Sequence, residues 1–457
     1  MNFKYELEPT GDYAFIDMKS FYASCELVAR GLHPLKHLLI VMSTTDNTSG
    51  LILASSPMAK KKLGIKNVTR RWDLPTVEEN PAMKNLIIAP PRMNYYIQEN
   101  LKIQHVLQNY APDEDILWYS IDEGVIDLSR SLNYFVPGVL DRKTKLAIVC
   151  DRIQQDIQKK TGIFSTVGMS NSNPLLAKLA LDNEAKTAPS LRASWNYSDV
   201  AEKVWQIPQL TDFWGIGHRT AARLHRLGIS SVHELANSSP QLLQQTFGVI
   251  GLQLYHHANG IDRTKLSERY VPKETTIGNS QILPKDYTSS ELLVVIREMA
   301  EQVAIRIRRK QLKTTSIHLF IGYSRDESTK GFSRQMKVDA TNASKPLAES
   351  LLHLFHKFYD GTSKIRQIGV SYGKLVPANG TQLTLFDEPI TQQKEEDLEV
   401  ILDRIREKYG FSSIMRSSSL LPDARSLKRA NLVGGHAGGA GGLDGLSPLK
   451  KEDVSHG

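Results

Sequence analysis

The stretch Tyr119-Ser120-Ile121-Asp122-Glu123-Gly124-Val125-Ile126-Asp127-Leu128 decides how this chain is read. Apolar residues lead into it (Ile116, Leu117, Trp118) and out of it (Val125, Ile126, Leu128). Two adjacent acids and a glycine stand between them. The pattern predicts a strand, a tight turn and a second strand. A plain hairpin would show the same pattern, because Asp-x-Gly favours turns in any context. Two carboxylates side by side on a rigid hairpin also suit a hard divalent cation such as Mg²⁺, which takes oxygen ligands. Such a site needs a third acid from elsewhere in the chain.

Asp17 is that acid. Tyr13-Ala14-Phe15-Ile16-Asp17-Met18 predicts a short apolar strand ending on Asp17, and Ser20 to Glu26 predicts the opening of a helix. An acid at a strand end is commonly a cap or turn residue. Together, Asp17, Asp122 and Glu123 on neighbouring strand ends would make a three-carboxylate cluster. Such a cluster can hold two metal ions about 4 Å apart for in-line displacement at phosphorus.

Residues 15–26, Phe-Ile-Asp-Met-Lys-Ser-Phe-Tyr-Ala-Ser-Cys-Glu, and 119–123, Tyr-Ser-Ile-Asp-Glu, resemble the two metal-binding motifs of the Y-family, or translesion, DNA polymerases. The UmuC-like branch (ImpB/MucB/SamB type) is the nearest in pattern, and the resemblance runs in order over roughly residues 12–390. It implies an α/β (α+β) multidomain chain, a right-hand-like polymerase. The palm would be residues 1–30 and 86–186, and the fingers 31–85. A helical thumb would span 187–262, a DNA-gripping little finger 263–378, and a tail 379–457. It also implies two Mg²⁺ held by Asp17, Asp122 and Glu123, with Met18 among the metal-binding positions. Low fidelity belongs to the resemblance and not to the spacing.

Composition agrees with a nucleic-acid enzyme. At 457 residues the chain has room for about three domains. No run approaches the ~18 apolar residues of a membrane span. Met1-Asn-Phe-Lys-Tyr-Glu6 has no apolar signal core. Two cysteines, Cys25 and Cys150, without a Cys-x-x-Cys argue against a disulfide framework or structural zinc and for a cytoplasmic protein. The net charge of +8 is concentrated: residues 263–380 hold 20 Lys and Arg against 11 Asp and Glu, a local +9. A basic segment of this kind suits a polyanion, most simply a nucleic-acid backbone, although a solvated face would have the same composition.

Several smaller patterns carry chemistry. Tyr22 stands five residues after Asp17, where the family places the steric gate that excludes ribonucleotides; Phe21 beside it suits an ordinary core aromatic as well as a nucleotide-binding position. Lys60-Lys61-Lys62-Leu63-Gly64 follows a predicted strand. The resemblance puts a triphosphate contact at Lys61, or at Lys60 with a one-residue offset, while Pro57 and Met58 occupy the region where the family carries a tyrosine. Thr166 to Pro174 predicts a strand, a loop and a helix start, with Asn173 able to cap and Pro174 suited to the first helical position. Along that helix the resemblance sends Lys186 to the triphosphate; Lys178 suits a contact to primer DNA or a plain solvated lysine. Leu210 to Ile229 predicts a helix, a Gly215-Ile216-Gly217 turn and a second helix. This resembles a helix–hairpin–helix that grips a DNA backbone without reading sequence.

The tail predicts one helix, Glu395–Tyr409, and a flexible glycine-rich run, Gly434–Gly442. Ahead of them lies Gln382-Leu383-Thr384-Leu385-Phe386. It resembles the short peptide by which bacterial polymerases bind the sliding clamp, through Gln382, Leu383, Leu385 and Phe386. The expected partners are therefore primer–template DNA, including damaged DNA, deoxynucleoside triphosphates and the clamp, with no membrane. Two rivals share parts of the pattern. A nucleotidyl cyclase on a similar palm needs no DNA grip, and a non-catalytic DNA-binding or clamp-associated repair protein needs neither the three acids nor Tyr22.

Overall fold

The computed structural model describes residues 3–43, 50–138, 140–272, 275–378, 389–433 and 436–438. The chain enters through strand β1 (Tyr13–Met18), whose Ala14, Ile16 and Met18 are buried. It leaves β1 through the helix Phe21–Ala29. A small sheet follows, built from β2 (Leu39–Met42), β3 (Ile52–Ser55) and β4 (Ile87–Ala89) in the order β3-β2-β4. β4 lies inside the 86–186 stretch expected for the palm, yet it pairs in parallel with β2. The helix Met93–Gln108 then returns the chain to β5 (Ile116–Trp118), β6 (Glu123–Asp127), β7 (Ser165–Ser170) and β8 (Arg192–Ser194). These join β1 in a five-stranded sheet of order β5-β6-β1-β7-β8. β8 lies beyond the expected palm boundary at residue 186 and pairs in parallel with β7.

β1 is central because its apolar residues need cover on both faces. On one side the helices Met93–Gln108 and Arg142–Thr161 pack together and the latter lies on β7. Asp141 caps Arg142–Thr161 by accepting from the Thr144 N–H, and the buried Leu146, Val149, Cys150, Ile153 and Ile157 form its inner stripe. On the other side lies the helix Pro174–Ala180, capped by the Asn173 side chain, which accepts from the Leu176 N–H at 2.9 Å. Gly168 sets that approach. A Cβ there would stand 1.9 Å from the Ala177 carbonyl oxygen, so only glycine lets the helix settle on β7.

Short helices follow: His218–His225, Val232–Ala236, Pro240–Phe247 and Val249–Ala258. They share a core of Leu224, Val232, Leu235, Leu243 and Leu254. The expected first helix of the helix–hairpin–helix is only the 3-10 turn Leu210–Asp212.

A second compact unit begins at Val271. It holds β9 (Ile277–Tyr287), β10 (Leu312–Tyr323), β11 (Gly331–Thr341) and β12 (Ile365–Pro377) in the antiparallel order β11-β10-β12-β9. The helices Ser289–Arg309 and Ser344–Phe358 pack on the sheet through Val295, Met299, Val303, Leu351 and Phe355 against Ile317, Leu319, Val370 and Tyr372. Thr288 and Glu291 close a reciprocal cap at the first helix.

The tail differs from its expectation. Its helix spans Pro389–Tyr409 and is fastened to the second unit. Arg308 donates to Asp403 at 2.6 Å and pairs with Glu399, Arg406 donates to Glu301 at 3.0 Å, and Glu298 accepts from the Arg425 N–H at 2.7 Å. Glu399 also accepts from the Ser344 N–H at 2.9 Å, at a helix start that has no side-chain cap of its own. The peptide Gln382–Phe386 lies outside the described residues, as does most of the glycine-rich run.

Candidate active site

β1 and β6 run antiparallel with Asp17 directly opposite Glu123. Residues opposite one another project from the same face of a sheet, so the two carboxylates start from neighbouring backbone positions. Asp122 precedes Glu123 at the end of the loop from β5, and its carbonyl accepts from the Met18 N–H at 2.8 Å. The expected turn is displaced. The connection is Tyr119 to Asp122, and Glu123 and Gly124 already belong to β6. Gly124 sits under the Trp118 ring, where a Cβ would come within 3.1 Å of it. Asn100, buried on the helix Met93–Gln108, donates to the Ile121 carbonyl at 2.6 Å and holds the loop from behind.

Charge accumulates around these acids. Burial lifts the Asp17 carboxyl to about 6; Asp122 and Glu123 add to the rise, and Lys186 and Lys178 oppose it. Burial works against the charge on Lys186, but Asp17, Asp182 and Glu123 outweigh it and hold this ammonium above the ordinary lysine range. Its Nζ lies 2.7 Å from Asp182 Oδ1. Lys19 donates to the Lys186 carbonyl at 2.9 Å. Desolvation lowers the pKa of Lys19 and of Lys60; Asp17 acts on both in the opposite sense, and Lys186 reinforces the lowering. Lys60, exposed like Lys61 and Lys62, is thus within electrostatic reach of Asp17.

Burial limits what three of the expected site residues can offer. Lys178, expected at primer DNA or in solvent, is buried: its ammonium pairs with Glu123, lies 3.0 Å from Asp182 and stands over the Phe15 ring. Phe21 is a core aromatic, 2% exposed, so only its backbone could reach a nucleotide. The Met18 side chain is likewise buried and projects opposite to Asp17, which leaves its main-chain oxygen as the only group it could offer a metal.

Tyr22 is half-buried, and its ring stacks on Tyr96 with centroids 4.4 Å apart. Burial and then the charge of Asp122 raise its hydroxyl pKa. Tyr96 donates to the buried Glu26 at 2.9 Å, and Arg92 clamps Glu26 through two further bonds of 2.7 and 3.0 Å. No side chain caps the Phe21–Ala29 helix, so its first-turn N–H groups also open toward this region. Gly215, with φ +93°, and Gly217, which opens His218–His225, border a cavity of about 700 Å³ shared with Lys186, Asp182 and Trp214.

The donor set suits a hard divalent cation: three carboxylates and no sulfur or imidazole. Among the described residues no three acid, histidine or cysteine side chains converge tightly enough to hold one. Glu123 is turned to Lys178, and Asp122 accepts from Ser120 Oγ at 2.7 Å.

Sequence models of the impB/mucB/samB family match residues 16–182 and, for its C-terminal domain, residues 274–385. The model described as the DNA polymerase-iota thumb domain matches residues 211–262. A Bacillus subtilis (strain 168) chain whose name, UvrX, assigns it to UV-damage repair is 36% identical over 434 residues, covering 94% of this chain and 99% of that one. The chain belongs to the impB/mucB/samB family. Another family member, DNA polymerase IV 2 of the same B. subtilis strain, is 30% identical over 424 residues, 92% of this chain and 97% of that one. The family fold is that of the Y-family polymerases. A chimera of the Y-family DNA polymerases Dbh and Dpo4 superposes with a TM-score of 0.61 at 22% identity, covering 80% of this chain and 99% of that chain. No described helix is long and apolar enough to cross a membrane.

Lys19, Tyr96, Glu26 and Asn100 escaped the sequence reading. A signal was present for two of them. Tyr96, Asn100, Ile103 and Leu107 fall on one helical stripe, and a polar residue on a buried stripe needs a partner.

Proposed function

We propose that this chain is a DNA-directed DNA polymerase of the lesion-bypass type, extending a primer 3′ end with deoxynucleotides and releasing pyrophosphate. The observation that carries the proposal is the pairing of Asp17 with Glu123 across β1 and β6, with Asp122 adjacent at the end of the loop from β5. Asp17, Asp122 and Glu123 would hold two Mg²⁺, which when bound supply an activated primer hydroxyl and neutralise the triphosphate.

The chain's own residues define the rest. Lys186, Lys60 and Lys19 surround Asp17 and give a triphosphate three cations that need no rearrangement of the backbone. Tyr22, backed by Tyr96, would lie against the sugar and leave no room for a 2′-hydroxyl. The exposed Gly215 and Gly217 offer backbone N–H groups to a DNA phosphate beside Lys186.

On the sheet of the second unit, the face opposite its helices carries Ser333, Gly369, Ser371 and Gly373 beside His318, Phe320 and Lys337, a mixed surface of small, aromatic and basic residues that a DNA backbone could lie along. The domain limits proposed for palm, fingers, thumb and little finger follow the family resemblance. Gln382, Leu383, Leu385 and Phe386 are proposed to bind the bacterial sliding clamp. The names of the repair and polymerase relatives support the reading. Primer extension by the purified chain with Mg²⁺, compared with a variant lacking Asp122 and Glu123, tests it.

A further inference from the structure

The Lys178 ammonium is enclosed. Its side chain is 6% exposed, against 14% for Glu123 and 24% for Asp182, and the Phe15 ring closes one side at 5.0 Å. A buried ammonium without a counter-charge is strongly disfavoured, so Lys178 cannot leave one acid except for another. Two acids are in reach: Glu123, which it pairs with, and Asp182, at 3.0 Å on the next helical turn. Asp182 already holds Lys186 at 2.7 Å.

We propose that Lys178 holds the place of a cation at Glu123 and passes to Asp182 when a divalent metal binds, which loosens Lys186 from Asp182 for the incoming triphosphate. The proposal rests on the reading of Asp17, Asp122 and Glu123 as the metal site. Lys178 is a positioning residue in this scheme, and Asp182 is the acceptor that lets it move. Asp182 holds both ammoniums at once, Lys178 at 3.0 Å and Lys186 at 2.7 Å, so a Lys178 that gives up Glu123 draws more fully on a carboxylate it shares with Lys186, and metal and nucleotide binding become linked through it.

The test is Mn²⁺ binding to the full chain by electron paramagnetic resonance, without DNA or nucleotide. It is run on the parent, Lys178→Met, Asp182→Asn and the double variant, with folding checked by circular dichroism. Lys178→Met should tighten Mn²⁺ binding by about fivefold or more, the size of effect a unit charge about 4 Å away has in bulk water. Asp182→Asn should weaken binding, because Lys178 then has only Glu123. In the double variant that weakening should disappear. Plain through-space electrostatics would instead make the two changes additive, and a merely structural Lys178 would make its loss weaken binding; either result overturns the proposal. If the parent binds no Mn²⁺ that Asp122→Ala with Glu123→Ala removes, the metal-site reading itself fails, and the proposal with it.

Discussion

The Tyr22 ring lies stacked on Tyr96, centroids 4.4 Å apart and planes 15° from parallel. Tyr96 is fully buried and tied to Glu26, which is itself clamped by Arg92. A ring stacked on so fixed a support cannot swing away to admit a larger sugar. Tyr22→Ala is therefore expected to raise the ratio of ribonucleotide to deoxynucleotide incorporation by about tenfold or more, or ~1.4 kcal/mol of lost discrimination. Single-nucleotide insertion kinetics with paired ribo- and deoxynucleotides measure it. An unchanged ratio would make Tyr22 a packing residue only.

Arg406 is buried against Glu301 at 3.0 Å, which makes the tail part of the second unit's packing. Removing one partner of a buried pair leaves the other charge exposed to the full desolvation cost. Arg416 still reaches Glu301 at 3.4 Å, so Arg406→Met should destabilise the second unit by less than the about 3–5 kcal/mol that a fully unpaired buried charge costs. Glu301→Gln added to it should recover part of that loss. Urea unfolding reads both, and a midpoint equal to the parent's would mean that the tail is an appendage.

How far the fold could be read from residue pattern depended on the kind of signal. The strand carrying Asp17 and the Asn173 cap follow from short-range pattern and are where that pattern puts them. The pairing of Lys178 with Glu123 was not legible, because a lysine on a helix has the same spacing whether its ammonium meets DNA or a carboxylate brought in from β6; its pairing with Asp182, four residues on, was open to spacing alone. The docking of the tail was hidden for a related reason. Glu298 and Glu301 look like solvated charges until Arg406 and the Arg425 N–H, more than a hundred residues away, arrive beside them. Gly124 belongs to a strand, where an Asp-x-Gly pattern suggested a turn, because it pairs with Ile16 of β1 and Trp118 of β5, partners the local pattern does not reveal.

DNA affinity should fall steeply with salt, since the local +9 of residues 263–380 would displace counterions from phosphates. With roughly 6–10 phosphate contacts the loss between 50 and 200 mM salt would be about 10³–10⁵. Deleting residues 271–438, the second unit with the tail helix that packs in it, should remove most of the slope in a plot of log affinity against log salt. A truncated chain with the parent's slope would reduce the basic excess to a solvated surface.

Replacing Leu385 and Phe386 by alanine should leave distributive synthesis nearly intact and abolish stimulation by a loaded sliding clamp. A short peptide binds weakly alone and becomes effective when DNA holds the enzyme nearby. Extension on primed circular DNA, with and without clamp, measures the difference. Stimulation equal to the parent's would rule out this peptide as the clamp contact.

The most direct test of the active site is primer extension by the Asp122→Ala, Glu123→Ala double variant, read beside its DNA affinity. Both acids belong to the proposed metal site and neither to the basic second unit. Nucleotide incorporation should fall by a factor of roughly 10² or more, while DNA binding stays near the parent's. Normal extension by the double variant would contradict the account.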